Sequence, residues 1–187
     1  MKRMVLVVLG ALVLGAGSAS AQAAAAATGG IRIGVGAGLV LPMGDYKTAD
    51  KAGFVAGADA TYWLANAPVG IRIEGSYSQT SEKSGVAAHK TKIFGGAADV
   101  VYAFGQSASQ VRPYVLVGGG FYNVKVSVSG TSASESKFGF GGGAGVAFKV
   151  GTGGTRIFAE GKYVSVSTTG SKTNFLPIRV GVRFGSK

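Results

Sequence analysis

Pro177-Ile178-Arg179-Val180-Gly181-Val182-Arg183-Phe184, close to the end of the 187-residue chain, is the stretch that decides the fold. Apolar and polar residues alternate through it without a break. Successive strand side chains point to opposite sides, so Ile178, Val180, Val182 and Phe184 share one face. Pro177, Arg179, Gly181 and Arg183 share the other. A soluble protein would turn the apolar face to a core and the polar face to water. A barrel in a membrane turns the apolar face out to lipid and the polar face in. The rest of the chain chooses between these.

Charged residues make up 14% of the sequence, against roughly 25% in typical soluble domains, so part of the outside can be covered by lipid. There is no cysteine, hence no disulfide framework and no thiolate metal site. The length fits one domain. Lys2 and Arg3, the apolar run Met4 to Leu14 and Ala19-Ser20-Ala21 form the three parts of a cleaved signal peptide over residues 1–21. The run is shorter than the about 20 residues a spanning helix needs. Loss of Lys2 and Arg3 with this segment takes the formal charge from +11 to +9. Residues 22–29 are alanine-rich without alternation and are expected to form a flexible arm before a barrel domain at 30–187.

From Gly30 onward alternation returns again and again. Ile31 to Leu41, Phe54 to Leu64, Val69 to Ser78 and Lys92 to Phe104 read as strands one to four. The fifth, Val111 to about Val126, is apolar on both faces and its facing stays open. Phe138 to Lys149, Arg156 to Tyr163 and Pro177 to Phe184 complete eight strands, with no convincing helix. Connections of roughly ten or more residues follow strands one, three, five and seven, including polar loops at Ser127 to Ser136 and Ser165 to Asn174. The others are about four to six residues. Long outer loops, short inner turns and strands long enough to span at a tilt mark a transmembrane barrel. Threading up and down places Tyr62, Tyr102, Phe104, Tyr114, Phe148 and Phe184 at the short-turn end. Phe54, Tyr77, Tyr122, Phe138 and Tyr163 fall toward the other end. Two aromatic belts are expected at the two interfaces. The predicted fold is all-β, an eight-stranded antiparallel up-and-down transmembrane β-barrel.

The sequence also resembles the small outer-membrane barrel proteins, the OmpA/OmpX/OmpW-like group. The resemblance rests on Pro42-Met43-Gly44-Asp45-Tyr46, Arg112-Pro113-Tyr114 with Gly118-Gly119-Gly120, Phe158-Ala159-Glu160-Gly161-Lys162-Tyr163 and Gly181-Val182-Arg183-Phe184, in that order over nearly the whole mature chain. It implies a bacterial outer-membrane location and an assembly signal at Phe184 read by the outer-membrane assembly machinery. In the group the aromatic commonly ends the chain, whereas Gly185-Ser186-Lys187 follow it here. The group includes adhesins and narrow channels, so it implies no single activity.

Arg32, Asp59, Arg72, Glu74, Asp99, Glu160, Lys162, Arg179 and Arg183 all fall on inward parity. An eight-stranded barrel is only just wide enough for its side chains to fill it, and buried charges must be paired or solvated. The expectation is a salt-bridge network filling the lumen; a polar conduction path is the rival. Pairing of strands seven and eight centred near Gly170 is expected to bring Glu160 roughly level with Gly181, between Arg179 and Arg183. Glycines on inward parity in strands one and six leave room for large neighbours. His89, near Glu82, Ser84 and Thr91, reads as an exposed loop residue and not as part of a catalytic set. No catalytic, cofactor or metal residues are expected. Lys47, Lys51, Lys83, Lys90, Lys92, Lys125, Lys137 and Lys172 make the outer rim modestly basic, which suits lipopolysaccharide phosphates and an extracellular ligand on the loops. Nucleic acid is not an expected partner of an exported chain. The reading is a non-enzymatic outer-membrane barrel with a plugged polar lumen and a surface, adhesion or membrane-integrity role. Alternatives are a narrow passive channel and a lipid-modifying barrel enzyme.

Overall fold

A computed structural model describes residues 30–84, 89–128, 131–168 and 171–185. The expected signal peptide at 1–21 and arm at 22–29 lie outside them. Eight strands, β1 (Ile31–Met43), β2 (Gly53–Trp63), β3 (Val69–Ser81), β4 (His89–Ala103), β5 (Val111–Val128), β6 (Thr131–Lys149), β7 (Arg156–Thr168) and β8 (Ser171–Phe184), follow one another around a closed barrel. Every pairing is antiparallel, and β8 closes onto β1 from Ile33 opposite Phe184 to Met43 opposite Asn174. Closure leaves no edge strand, so the backbone is satisfied between strands, as a chain in lipid requires.

Parity sets the two faces. Ile31, Ile33, Val35 and Leu39 are exposed on β1 while Arg32 and Val40 are buried; Val180 and Phe184 are exposed on β8 while Arg179 and Arg183 are buried. The strand with ambiguous facing resolves in the same way. Val111, Val115, Val117 and Phe121 of β5 face out, and Arg112, Tyr114, Leu116, Tyr122 and Val124 face in. Tyr114 and Tyr122 therefore do not belong to the aromatic belts: they are 4% and 2% exposed, inside the lumen. Tyr62, Tyr102, Phe104, Phe148 and Phe184 stay outside at the end carrying the turns 64–68, 104–110 and 150–155. Phe54, Phe94, Phe121, Phe138 and Tyr163 stand outside toward the other end. Neighbouring rings there touch, with Tyr77 4.7 Å from Phe94 and Phe121 5.6 Å from Phe138 between centroids.

Two expected loops are not loops. The described residues of these two stretches, 127–128 with 131–136 and 165–168 with 171–174, continue the ladders, with Ser127 opposite Ser132 and Ser165 opposite Asn174. The strands are accordingly longer than expected, 18 residues for β5 and 19 for β6. Beyond the lipid both faces of a ribbon meet water, so the alternation that reveals a strand disappears while the backbone hydrogen bonds continue. The β1–β2 connection also holds one helical turn, α1 (Tyr46–Ala49), entered through Gly44 at φ +56.

Candidate functional site

The inward residues make three tiers along the barrel axis. In the middle, every pairing of strands β2, β3, β4, β7 and β8 brings charge inward. Asp59 stands directly opposite Glu74, and Arg72 opposite Asp99. The like pair is neutralised from across the lumen. Arg183 Nε and Nη2 donate to Asp59 at 3.2 and 3.3 Å, while Arg179 Nη2 and Lys162 Nζ donate to Glu74, both at 2.7 Å. Lys162 also reaches both oxygens of Asp99 at 2.8 Å.

Glu160 is the hub. Its Oε2 accepts from Arg72 Nη1 at 2.6 Å, Tyr114 Oη at 2.8 Å and Arg183 Nη2 at 3.1 Å, and its Oε1 accepts from Arg179 Nη2 at 2.8 Å. The register differs by two residues from the expected one: Glu160 lies level with Arg179, and Phe158 lies opposite Gly181. The pairing runs on in that register to Thr168 opposite Ser171. Arginine's reach still lets Arg183 arrive from four residues further along. Arg183 stacks its guanidinium 3.9 Å above the Phe158 ring, which fixes its direction. Gly34 makes room for this pairing, since a Cβ there would lie 2.7 Å from Asp59 Oδ2 and 2.8 Å from Arg183 Cγ.

Eight of the nine sequence-predicted lumen residues thus join one hydrogen-bonded chain: Asp59, Arg72, Glu74, Asp99, Glu160, Lys162, Arg179 and Arg183. Arg32 is buried but stands apart. It lies toward the turn end with Arg112 and Arg156, two buried arginines absent from the sequence-derived set. Arg156 Nη2 donates to the carbonyls of Ser107 and Ser109 at 2.7 and 2.9 Å, and Arg112 lies 4.7 Å over the Trp63 ring. Inward parity at the first residue of β7 could have flagged Arg156. Arg112 was hidden by the uncertain facing of β5.

Above the charges lies an apolar tier of Val40, Val55, Ile93, Ala97, Tyr122, Val124, Val164, Val166 and Phe175, covered by Tyr46. Its lid is polar. Thr80 Oγ1 donates to Asp50 Oδ1 at 2.6 Å, and its only hydroxyl proton being so used, Tyr46 Oη donates to Thr80 at 2.5 Å. Burial pushes the Tyr46 phenol above its ordinary value, which keeps that proton in place. His89 Nε2 sits 3.0 Å from Asp50 Oδ2 with its side chain 10% exposed. It is therefore an inward residue at the start of β4 and not the exposed loop residue expected. Among the described residues no three His, Cys, Asp or Glu side chains gather as a metal site.

The chain matches the family described as "Outer membrane protein beta-barrel domain" over residues 9–184. No curated protein sequence matches. Among solved structures, Neisserial surface protein A is similar at TM-score 0.64 and 18% identity, covering 82% of this chain and 96% of its own. The attachment invasion locus protein Ail of Yersinia pestis gives 0.53 and 24%, covering 84% and 99%. The N-terminal barrel domain of Pseudomonas aeruginosa OprF gives 0.53 and 17%, covering 85% and 98%.

Proposed function

This chain belongs to the outer-membrane protein β-barrel family, its place is the bacterial outer membrane, and we propose that within that family it is a non-enzymatic surface or membrane-integrity protein whose lumen carries no current. The observation that carries the reading is the interlocked set of four cations and four carboxylates across the lumen, Arg72, Lys162, Arg179 and Arg183 with Asp59, Glu74, Asp99 and Glu160. An ion crossing the barrel would have to part these pairs and then pass the mainly apolar tier above them, where a few hydroxyls such as Ser78 would replace little of its hydration shell. The rival is a narrow channel. Purified protein in planar bilayers is expected to give no steady ion current; a reproducible open conductance in wild type, altered in ion selectivity by Glu160→Gln, would overturn the reading in favour of the channel.

On this reading the protein works through its outer surface. The β5–β6 hairpin, the longest of the barrel, is the element best placed to meet a partner, and an attachment role of the kind carried in the name of the similar Yersinia protein fits such a projection. The lipid partner we propose is lipopolysaccharide. Lys92 and Lys125 stand directly opposite each other on β4 and β5, with Lys90 next on the same outward parity, beyond Phe94 and Phe121. Like charges facing each other across a ladder are unfavourable alone, and phosphates at the base of lipopolysaccharide would relieve them. Lipopolysaccharide added to refolded protein is expected to slow urea unfolding, and Lys92→Ala with Lys125→Ala to remove most of that gain. An unchanged gain would sink this partner site.

A further inference from the structure

The lumen is not electrically balanced, and the imbalance is local. Among the described residues the buried cations number seven, Arg32, Arg72, Arg112, Arg156, Lys162, Arg179 and Arg183. The four carboxylates of the central chain are all held by Arg72, Lys162, Arg179 and Arg183. Asp50, the other buried acid, lies at the opposite end of the barrel with Thr80 and His89. Among the described residues, therefore, Arg32, Arg112 and Arg156 have no carboxylate. A guanidinium cannot shed its charge at any ordinary pH, so three like charges sit together at the periplasmic mouth, with Arg112, Arg156 and Arg183 each acting on Arg32.

Their hydrogen bonds are equally incomplete. Arg156 is held by the carbonyls of Ser107 and Ser109. Arg32 Nε, Arg112 Nε, Arg112 Nη1 and Trp63 Nε1 are buried and donate to nothing among the described residues. Arg32, Trp63, Arg112 and Arg156 line one cavity of about 20 Å³, together with Arg72 and Arg183. Every one of the unmet groups is a donor. A water molecule brings two lone pairs and no charge, so it leaves donors over and the repulsion intact. An oxyanion brings several lone pairs on adjacent oxygens and the missing negative charge, and the flat arginine fork matches it in two bonds at once.

We propose that this cavity, framed by Arg32, Arg112 and Arg156 with Trp63 Nε1 as a further donor, binds a small oxyanion of the phosphate or carboxylate class at the periplasmic mouth of the barrel. Its volume of about 20 Å³ is room for one oxygen-sized group, so one oxygen of such an anion enters and a bulky anion is excluded. The cavity reaches up to Arg72 and Arg183 of the central chain, but their charges are already taken by Asp59 and Glu160, so the unmet donors are those of Arg32, Arg112 and Trp63.

The full chain refolded in detergent micelles tests this at fixed ionic strength, with sodium chloride exchanged for sodium phosphate or sodium acetate. A saturable rise in the unfolding midpoint is expected with at least one of the two, and broadening of the phosphate ³¹P resonance if phosphate is the ligand. Response to phosphate alone assigns a phosphate group, and response to acetate alone assigns a carboxylate. The double variant Arg32→Met, Arg112→Met is expected to lose the response and, in chloride, to be no less stable than wild type, since it discards unpaired charge. If that variant fails to fold, competition of acetate against ³¹P broadening in wild type carries the test. No saturable response to either anion, or an undiminished response in the double variant, overturns the proposal.

Discussion

Toward the short-turn end the inward positions carry Asp59, Arg72, Glu74, Asp99, Glu160, Lys162, Arg179 and Arg183; toward the other end the same parity carries Val40, Val55, Ile93, Val124, Val164, Val166 and Phe175. One barrel fills its interior by two kinds of chemistry. The lower half is directional: each carboxylate has fixed donors, so removing one member strands another. The upper half is a hydrophobic core of the kind found in soluble proteins, where loss scales with the volume removed. The difference teaches that inward parity in a small barrel predicts burial and not polarity. Most of the buried charges are paired across the lumen, with Arg32, Arg112 and Arg156 at the turn end as the exception.

The largest expected effect breaks the lower half at its hub. Glu160→Gln keeps the shape of the side chain but removes the negative charge shared by Arg72, Arg179 and Arg183. Taking one partner from a buried ionic set costs about 3–5 kcal/mol, because the remaining charge is left uncompensated. Urea unfolding in lipid vesicles measures it. A loss below about 1 kcal/mol, the scale of solvent-exposed pairs, would mean that water reaches these groups and that the two halves are not sealed from solvent alike.

A smaller effect is expected from the upper half. Val166 is fully buried, and Val166→Ala removes two methyl groups, about 2 kcal/mol of transfer and cavity energy together. The same unfolding assay reads it. A loss as large as that of Glu160→Gln would show that the apolar tier governs assembly and that the ionic tier is secondary.

The two halves were also unequally legible in the sequence. In β8 and β7, arginine, glutamate and lysine alternate with apolar residues, and parity alone brought eight charges to one network. In β5 the inward residues Tyr114, Leu116, Tyr122 and Val124 are as apolar as the outward ones, so alternation carried no signal and two aromatics were assigned to the wall. Register was legible only to within two residues, since a hairpin whose tip is made of Ser, Thr and Gly offers no residue that fixes the turn position. Gly181 illustrates a further limit. Parity makes it a lumen position open to substitution, yet a side chain there would strike the Val35 carbonyl and lie 2.7 Å from the Phe158 ring. Arg32 was correctly placed inside, but its lack of a carboxylate depends on the depth of every other charge, which no single strand reveals.

The lid over the apolar half offers the mildest break, and it tests whether the halves are independent. Asp50 follows α1, is 2% exposed, and pairs with Glu82 through an isolated bridge. Its two oxygens meet Thr80 at 2.6 Å and His89 at 3.0 Å, and Thr80 in turn receives Tyr46. Asp50→Asn preserves the oxygen facing Thr80 and substitutes an amide for the one facing His89. A hydrogen bond to a charged group contributes about 1.5–3 kcal/mol and a neutral one about 0.5–1.5 kcal/mol, so the expected loss is about 1 kcal/mol. It should be local: faster amide exchange in residues 44–52 and at His89, with the amides flanking Glu160 unchanged. The valines and Phe175 between the two polar regions carry no directional bonds through which a lost charge could be felt below. If Asp50→Asn instead loosened the strands around Glu160, the lid and the ionic tier would be one cooperative unit, and the division of the lumen into two separately stabilised halves would fail.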